Sequence, residues 1–234
     1  MKTLMHCAGI LLIALGLAGC QQVPETQVGF AEEEGELMLA CCLDITGSFE
    51  KQMLGTDNNQ EGKAFKTFLA VKDRFFHDRQ QSKDRFIITR ISGSKKALLL
   101  DAVPQSFQER FPDANSFRKF ILSTPDPGGS RVYDSLRDSI DYMNLQHRNS
   151  PKLKSMVLIW SDMDDNRPDF GPEKSKQMLI ESLRQYARLG GSIGIYGCEI
   201  ATVPEWSRIL QDVGFKCFIV EADIRDNPKL PIFD

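Results

Sequence analysis

Apolar and polar positions alternate in blocks along this chain, and the blocks predict strands and helices in turn. Leu37 to Asp44 is a short apolar run of the kind that forms a strand covered on both faces. Ala64, Phe65, Phe68, Leu69, Phe75 and Phe76 then recur at helical spacing. Arg85 to Ile91 and Ala97 to Val103 predict two strands joined as a hairpin by Ser92-Gly93-Ser94. A helix is expected around Ser116 to Leu122. Val132, Leu136, Ile140 and Met143 mark one face of another. Met156 to Trp160 reads as a second buried strand, Lys174 to Leu189 as an amphipathic helix stopped by Gly190-Gly191, and Ser192 to Cys198 as a strand. Pro204 to Val213 fits a short helix and Lys216 to Val220 a last strand. Strands alternating with helices predict an α/β fold with a mostly parallel sheet covered on both faces.

The first twenty residues stand outside this pattern. Lys2 is their only charged side chain, Ile10 to Leu17 is almost wholly apolar, and small residues lead to Cys20. About eight apolar residues are far short of the ~20 that cross a bilayer, so the layout is that of a secretory signal. Leu17-Ala18-Gly19-Cys20 resembles the bacterial lipobox. That resemblance implies cleavage before Cys20, with a diacylglycerol on its thiol and usually a fatty acid, such as palmitate, on the new amino terminus. Residues 1–19 are then a lipoprotein signal peptide and Cys20 the membrane anchor. Gln21 after the cysteine, by resemblance to known sorting, implies the outer membrane, facing the periplasm, if the cell is Gram-negative. Residues 20–36 are polar, with the acidic run Glu32-Glu33-Glu34-Gly35-Glu36, and read as a tether spanning about 20–24 Å. The folded domain is expected over 37–222, with 223–234 as a C-terminal tail.

Charge narrows the partners. With 29 basic against 32 acidic residues the net charge is −3, and no basic run suits a phosphate backbone, so nucleic acid is not expected as a partner.

Ligands of open α/β sheets bind beyond the carboxyl ends of the strands, which directs attention to three loops. Asp44-Ile45-Thr46-Gly47-Ser48 follows the first strand, Gly128-Gly129-Ser130 opens a helix, and Ser161-Asp162 ends the Met156 to Trp160 strand. Carboxylates with hydroxyls are hard-oxygen donors suited to Mg²⁺. Taken singly, Asp-x-Thr-Gly-Ser is equally a turn whose Asp and Ser cap a helix, and Gly-Gly-Ser a simple cap.

Together and in this order, the three loops resemble the metal-ion-dependent adhesion site of the von Willebrand factor A family, over roughly residues 37 to 220. The resemblance implies a three-layer, Rossmann-like fold with a six-stranded sheet of order 3-2-1-4-5-6, the third strand antiparallel at the edge. It also implies that Asp44, Thr46, Ser48, Ser130 and Asp162 hold Mg²⁺ or Mn²⁺, directly or through water, with one position left for an Asp or Glu of a protein partner. The chain departs from the family where Thr-Asp-Gly becomes Ser161-Asp162-Met163, followed by Asp164, Asp165 and Asn166, and where Ser130 replaces Thr.

Other readings fit less well. Six residues separate Gly55 from Gly62 where a phosphate loop needs four, and Arg167 stands where an EF-hand loop needs Gly. A second acid is absent at Thr46, where an Asp-x-Asp phosphatase needs one. His77, at a helix end, and His147, in a loop, are expected at the surface. Cys41 and Cys42 are expected as packed thiols on opposite faces of one strand. Cys198 and Cys217, on successive strands, are a candidate disulfide whose geometry the sequence leaves open. The function expected is a membrane-anchored, non-enzymatic binding module of the cell envelope. The alternatives are a metal-dependent hydrolase using the same site and a structural lipoprotein in which the site is vestigial.

Overall fold

The computed structural model describes residues 36–55, 62–78, 83–91, 93, 96–122, 129–167 and 169–233. The signal segment, Cys20, the tether before Glu36, and Gly128 lie outside the described residues.

All eight residues of β1 (Leu37–Asp44) are buried, because this strand sits at the centre of the sheet. Leu37, Leu39, Cys41 and Leu43 face one hydrophobic cluster, while Met38, Ala40 and Cys42 face the other. The two thiols thus pack on opposite faces, as the period-two pleat requires. Burial raises both thiol pKa values, that of Cys42 to about 11, which keeps them protonated.

β2 (Arg85–Ile91) and β4 (Lys154–Trp160) flank β1 in parallel, with Asp44 beside Ile91 and Leu43 beside Trp160. β3 (Leu98–Ala102) pairs antiparallel with β2 at one edge, while β5 (Ser192–Tyr196) and β6 (Phe218–Glu221) extend the other edge in parallel. The order is β3-β2-β1-β4-β5-β6, the one that the resemblance implied.

One face is covered by α1 (Glu50–Leu54), α2 (Lys63–Asp78), α3 (Pro104–Arg110) and α4 (Ala114–Leu122). Its core is aromatic: Phe68 meets Trp160 edge-on at 5.8 Å and stacks with Phe117 at 5.4 Å. The other face is covered by α5 (Val132–Asn149), α6 (Pro172–Arg188) and α7 (Val203–Val213), through Leu136, Ile140, Leu179, Leu183, Trp206 and Leu210. Among the described residues no helix is long and apolar enough to cross a membrane.

Three expectations change. The residues after 222 pack against the domain: Ile224 is buried, Tyr196 donates its hydroxyl to Lys229 O at 2.6 Å, and Ser192 donates to Ile232 O at 2.5 Å. They cover the first face over β5, where Ser192 and Gly194 leave room.

His147 lies inside α5, 4% exposed, with Nε2 2.6 Å from Ser155 Oγ. α5 runs on to Asn149, so the helix carries His147 under the sheet rather than into a surface loop.

Cys198 and Cys217 form no disulfide. Because β5 and β6 are parallel, with Ile193 beside Phe218, Cys217 falls level with Ser192, six residues before Cys198. Cys198 donates its amide to Glu221 O, four residues along β6 from Cys217, which is about 13 Å at ~3.3 Å per residue, against the ~7 Å limit for bridging. Cys198 Sγ lies instead 3.0 Å from Thr202 Oγ1.

Candidate functional site

The topology places β1 and β4 side by side with their carboxyl ends at one end of the sheet, so the loops after them meet. After β1 the chain turns sharply: Phe49 and Glu50 both donate their amides to Thr46 O, at 2.9 and 2.8 Å, which starts α1. Within that turn Asp44 Oδ1 accepts Thr46 N–H at 3.0 Å and the Thr46 hydroxyl at 2.5 Å. The short side chain of Asp therefore folds back on its own loop.

All five residues named from the sequence are brought together. The Thr46 and Ser130 hydroxyls are hydrogen-bonded to each other, and Ser48 donates to Asp162 Oδ2. Since the single hydroxyl hydrogen of Thr46 goes to Asp44, Ser130 is the donor of that pair. Asp44, Thr46 and Ser130 are buried, whereas Ser48 is exposed and Asp162 half-buried, so the cluster opens to solvent on the Ser48–Asp162 side.

Asp44 is fully buried, and among the described residues no Lys, Arg or His side chain pairs with it. Burial pushes its carboxyl up to about 6, against the opposing hydrogen bonds from Ser161 and Thr46; the nearby charge of Asp162 adds to the rise. A buried carboxylate without a cationic neighbour is costly to ionise, and a bound cation would remove that cost. Two carboxylates and three hydroxyls are a donor set that fits a hard divalent ion. Among the described residues there is no metal-holding group of three or more His, Cys, Asp or Glu. The cluster here has only two acids and depends on its hydroxyls.

Three further residues, which the sequence places in the Asp162 loop without a role, contribute. Ser161, fully buried, donates to Asp44 Oδ2 at 2.6 Å and accepts Met163 N–H at 2.9 Å. Asp165 Oδ2 accepts Tyr133 N–H at 2.8 Å, supplying the first turn of α5 with a cap that its own N-cap residue, Arg131, does not provide. Burial raises the Asp165 pKa against the hydrogen bonds from the Tyr133 and Arg167 amides. Asn166 Oδ1 accepts Ser130 N–H at 2.8 Å. The acids following Asp162 therefore include residues that hold a neighbouring loop. A run of Asp and Asn just past a strand signals caps, but not which helix is capped.

Met163 adopts φ 66°, the left-handed region. Its side chain is buried among the residues that line α5 and α6. That anchor holds the loop in a conformation an unanchored Met would leave.

No family model and no curated protein matches this chain. Among solved structures, the pilus adhesin SpaC from Lactobacillus rhamnosus GG is similar to it, with a TM-score of 0.51 and 10% identity over 85% of this chain and 30% of the adhesin. The chain spans under a third of the adhesin's length, and at that identity the likeness is one of fold.

Proposed function

We propose that this chain is a von Willebrand factor A-like binding module, tethered to the cell envelope through a lipid on Cys20, that captures an acidic side chain of a protein partner through a divalent cation. The observation that carries the reading is the convergence of Asp44, Thr46, Ser48, Ser130 and Asp162 from three separate loops at the carboxyl end of the sheet. Asp44, Thr46, Ser48, Ser130 and Asp162 would hold Mg²⁺ or Mn²⁺, and the ion would supply a Lewis-acidic position for the partner's carboxylate. The burial of Asp44 without a cationic neighbour among the described residues supports this, because its hydrogen bonds serve the turn while the desolvation of its charge is left for a bound cation to offset. The fold shared with part of a pilus adhesin agrees with a role in binding at the cell surface.

The test is calorimetric titration of Mg²⁺ and Mn²⁺ into the full chain in mild detergent, with Asp44→Ala alongside. The expected result is saturable one-site binding by the parent and none by the variant. Absence of binding by the parent, with or without an added carboxylate peptide, would sink the reading in favour of a structural role.

A further inference from the structure

Ser130 is the one member of the cluster that comes from neither the loop after β1 nor the loop after β4, and residues 36 and 37 positions away hold its backbone. Its N–H donates to Asn166 Oδ1 at 2.8 Å, and its C=O accepts the Arg167 N–H at 2.8 Å. The preceding Gly129 has φ 80°, and a Cβ built there would stand 2.0 Å from Arg167 Cδ. The stem of Arg167 therefore lies across the glycine. Two consecutive residues thus close on Gly129-Ser130 from both sides of the backbone.

The same loop carries Asp162, so one segment both supplies a candidate ligand and fixes the setting of another. A neutral hydroxyl contributes to a hard cation only when its oxygen is aimed, because it lacks the long-range attraction of a carboxylate. The backbone of Ser130 sets that aim. Asn166 is exposed, so its side chain adds little to the core; the polar atom that it turns inward is spent on the amide of a residue only 1% exposed.

We propose that Asn166 is a positioning residue for the Ser130 hydroxyl and sets the cation affinity of the site without itself touching the cation. The proposal rests on the adhesion-type reading above. Partners behind the ligands of metal sites typically change affinity 10–100-fold when removed, which is the size of effect expected here.

The experiment compares the full chain in mild detergent with Asn166→Ala, Asn166→Asp and Ser130→Ala, by Mg²⁺ calorimetry and by amide hydrogen exchange at Ser130 in the metal-free state. Asn166→Ala, which changes no charge, is expected to weaken Mg²⁺ roughly 10-fold or more and to speed exchange at Ser130. Asn166→Asp keeps the acceptor oxygen and is expected to restore both the slow exchange and an affinity at least equal to the parent's. Mg²⁺ affinity of Asn166→Ala within about twofold of the parent, while Ser130→Ala is weakened, overturns the proposal and leaves the site standing. Equal losses in the Ala and Asp variants overturn it as well, since the acceptor oxygen would then not be what matters. No saturable Mg²⁺ or Mn²⁺ binding by the parent overturns both this and the reading beneath it.

Discussion

Ser161 Oγ lies 2.6 Å from Asp44 Oδ2, so the first residue after β4 gives its hydroxyl hydrogen to the residue that ends β1. The same oxygen accepts the amide of Met163 at 2.9 Å, which ties two site loops through one buried atom. Ser161→Ala leaves a buried carboxylate oxygen and a buried N–H each short of a partner, a loss of about 1–3 kcal/mol. Urea unfolding of the metal-free protein should show it, together with weaker cation binding. An unchanged midpoint would mean that water replaces the hydroxyl.

Asp44→Asn should have the opposite effect on metal-free stability. The carboxylate is fully buried and, among the described residues, faces no cationic side chain, and its neighbours Thr46 and Ser161 can re-pair with a carboxamide. Removing the charge is expected to stabilise the metal-free fold by on the order of 1–2 kcal/mol while abolishing Mg²⁺ binding. Thermal melts with and without Mg²⁺ read both effects. A variant that is less stable than the parent without metal would show that Asp44 earns its place through hydrogen bonding alone.

At Met163 two effects compete. The left-handed backbone costs a non-glycine residue roughly 1–2 kcal/mol, which Met163→Gly would relieve. The side chain is only 4% exposed, however, and deleting a buried Met costs about 2–5 kcal/mol. On the central values burial wins, so Met163→Gly should destabilise the fold by about 2 kcal/mol, within a span of about 0–4 kcal/mol. Equilibrium unfolding decides the sign, and a stabilised variant would mean that the loop collapses onto the vacated space.

Much of the fold could be read from the chain because its two central strands, Leu37–Asp44 and Lys154–Trp160, are almost unbroken apolar runs and its long helices have clear faces. The short helices Glu50–Leu54 and Pro104–Arg110 were not expected, since one or two turns do not establish a period. The five clustered oxygen-bearing residues were legible as ordered loop motifs. Asn166 and Asp165 were not, because they act on residues 36 and 32 positions away, where spacing carries no signal. Cys198 and Cys217 show a related limit: adjacent strands suggest a pair, but the parallel direction of β5 and β6 sets the two thiols at different levels.

The last prediction concerns pH, at the end of the sheet opposite the candidate site. His147 Nε2 lies 2.6 Å from Ser155 Oγ, which lies 2.7 Å from Tyr186 OH, and burial lowers the histidine pKa from its ordinary 6.5. Burial raises the Tyr186 pKa, so the phenol stays neutral and brings no charge to compensate an imidazolium. With the folded value below the unfolded one, the unfolded chain takes up the proton more readily. The contribution to stability is therefore present above pH ~6.5 and is lost as pH falls through the lowered folded value. His147→Gln cannot titrate there. Urea midpoints measured at pH 7.5 and 5.5 should fall further in the parent than in the variant. Parallel falls in the two proteins would show that His147 is protonated within the fold, with Ser155 turned to accept.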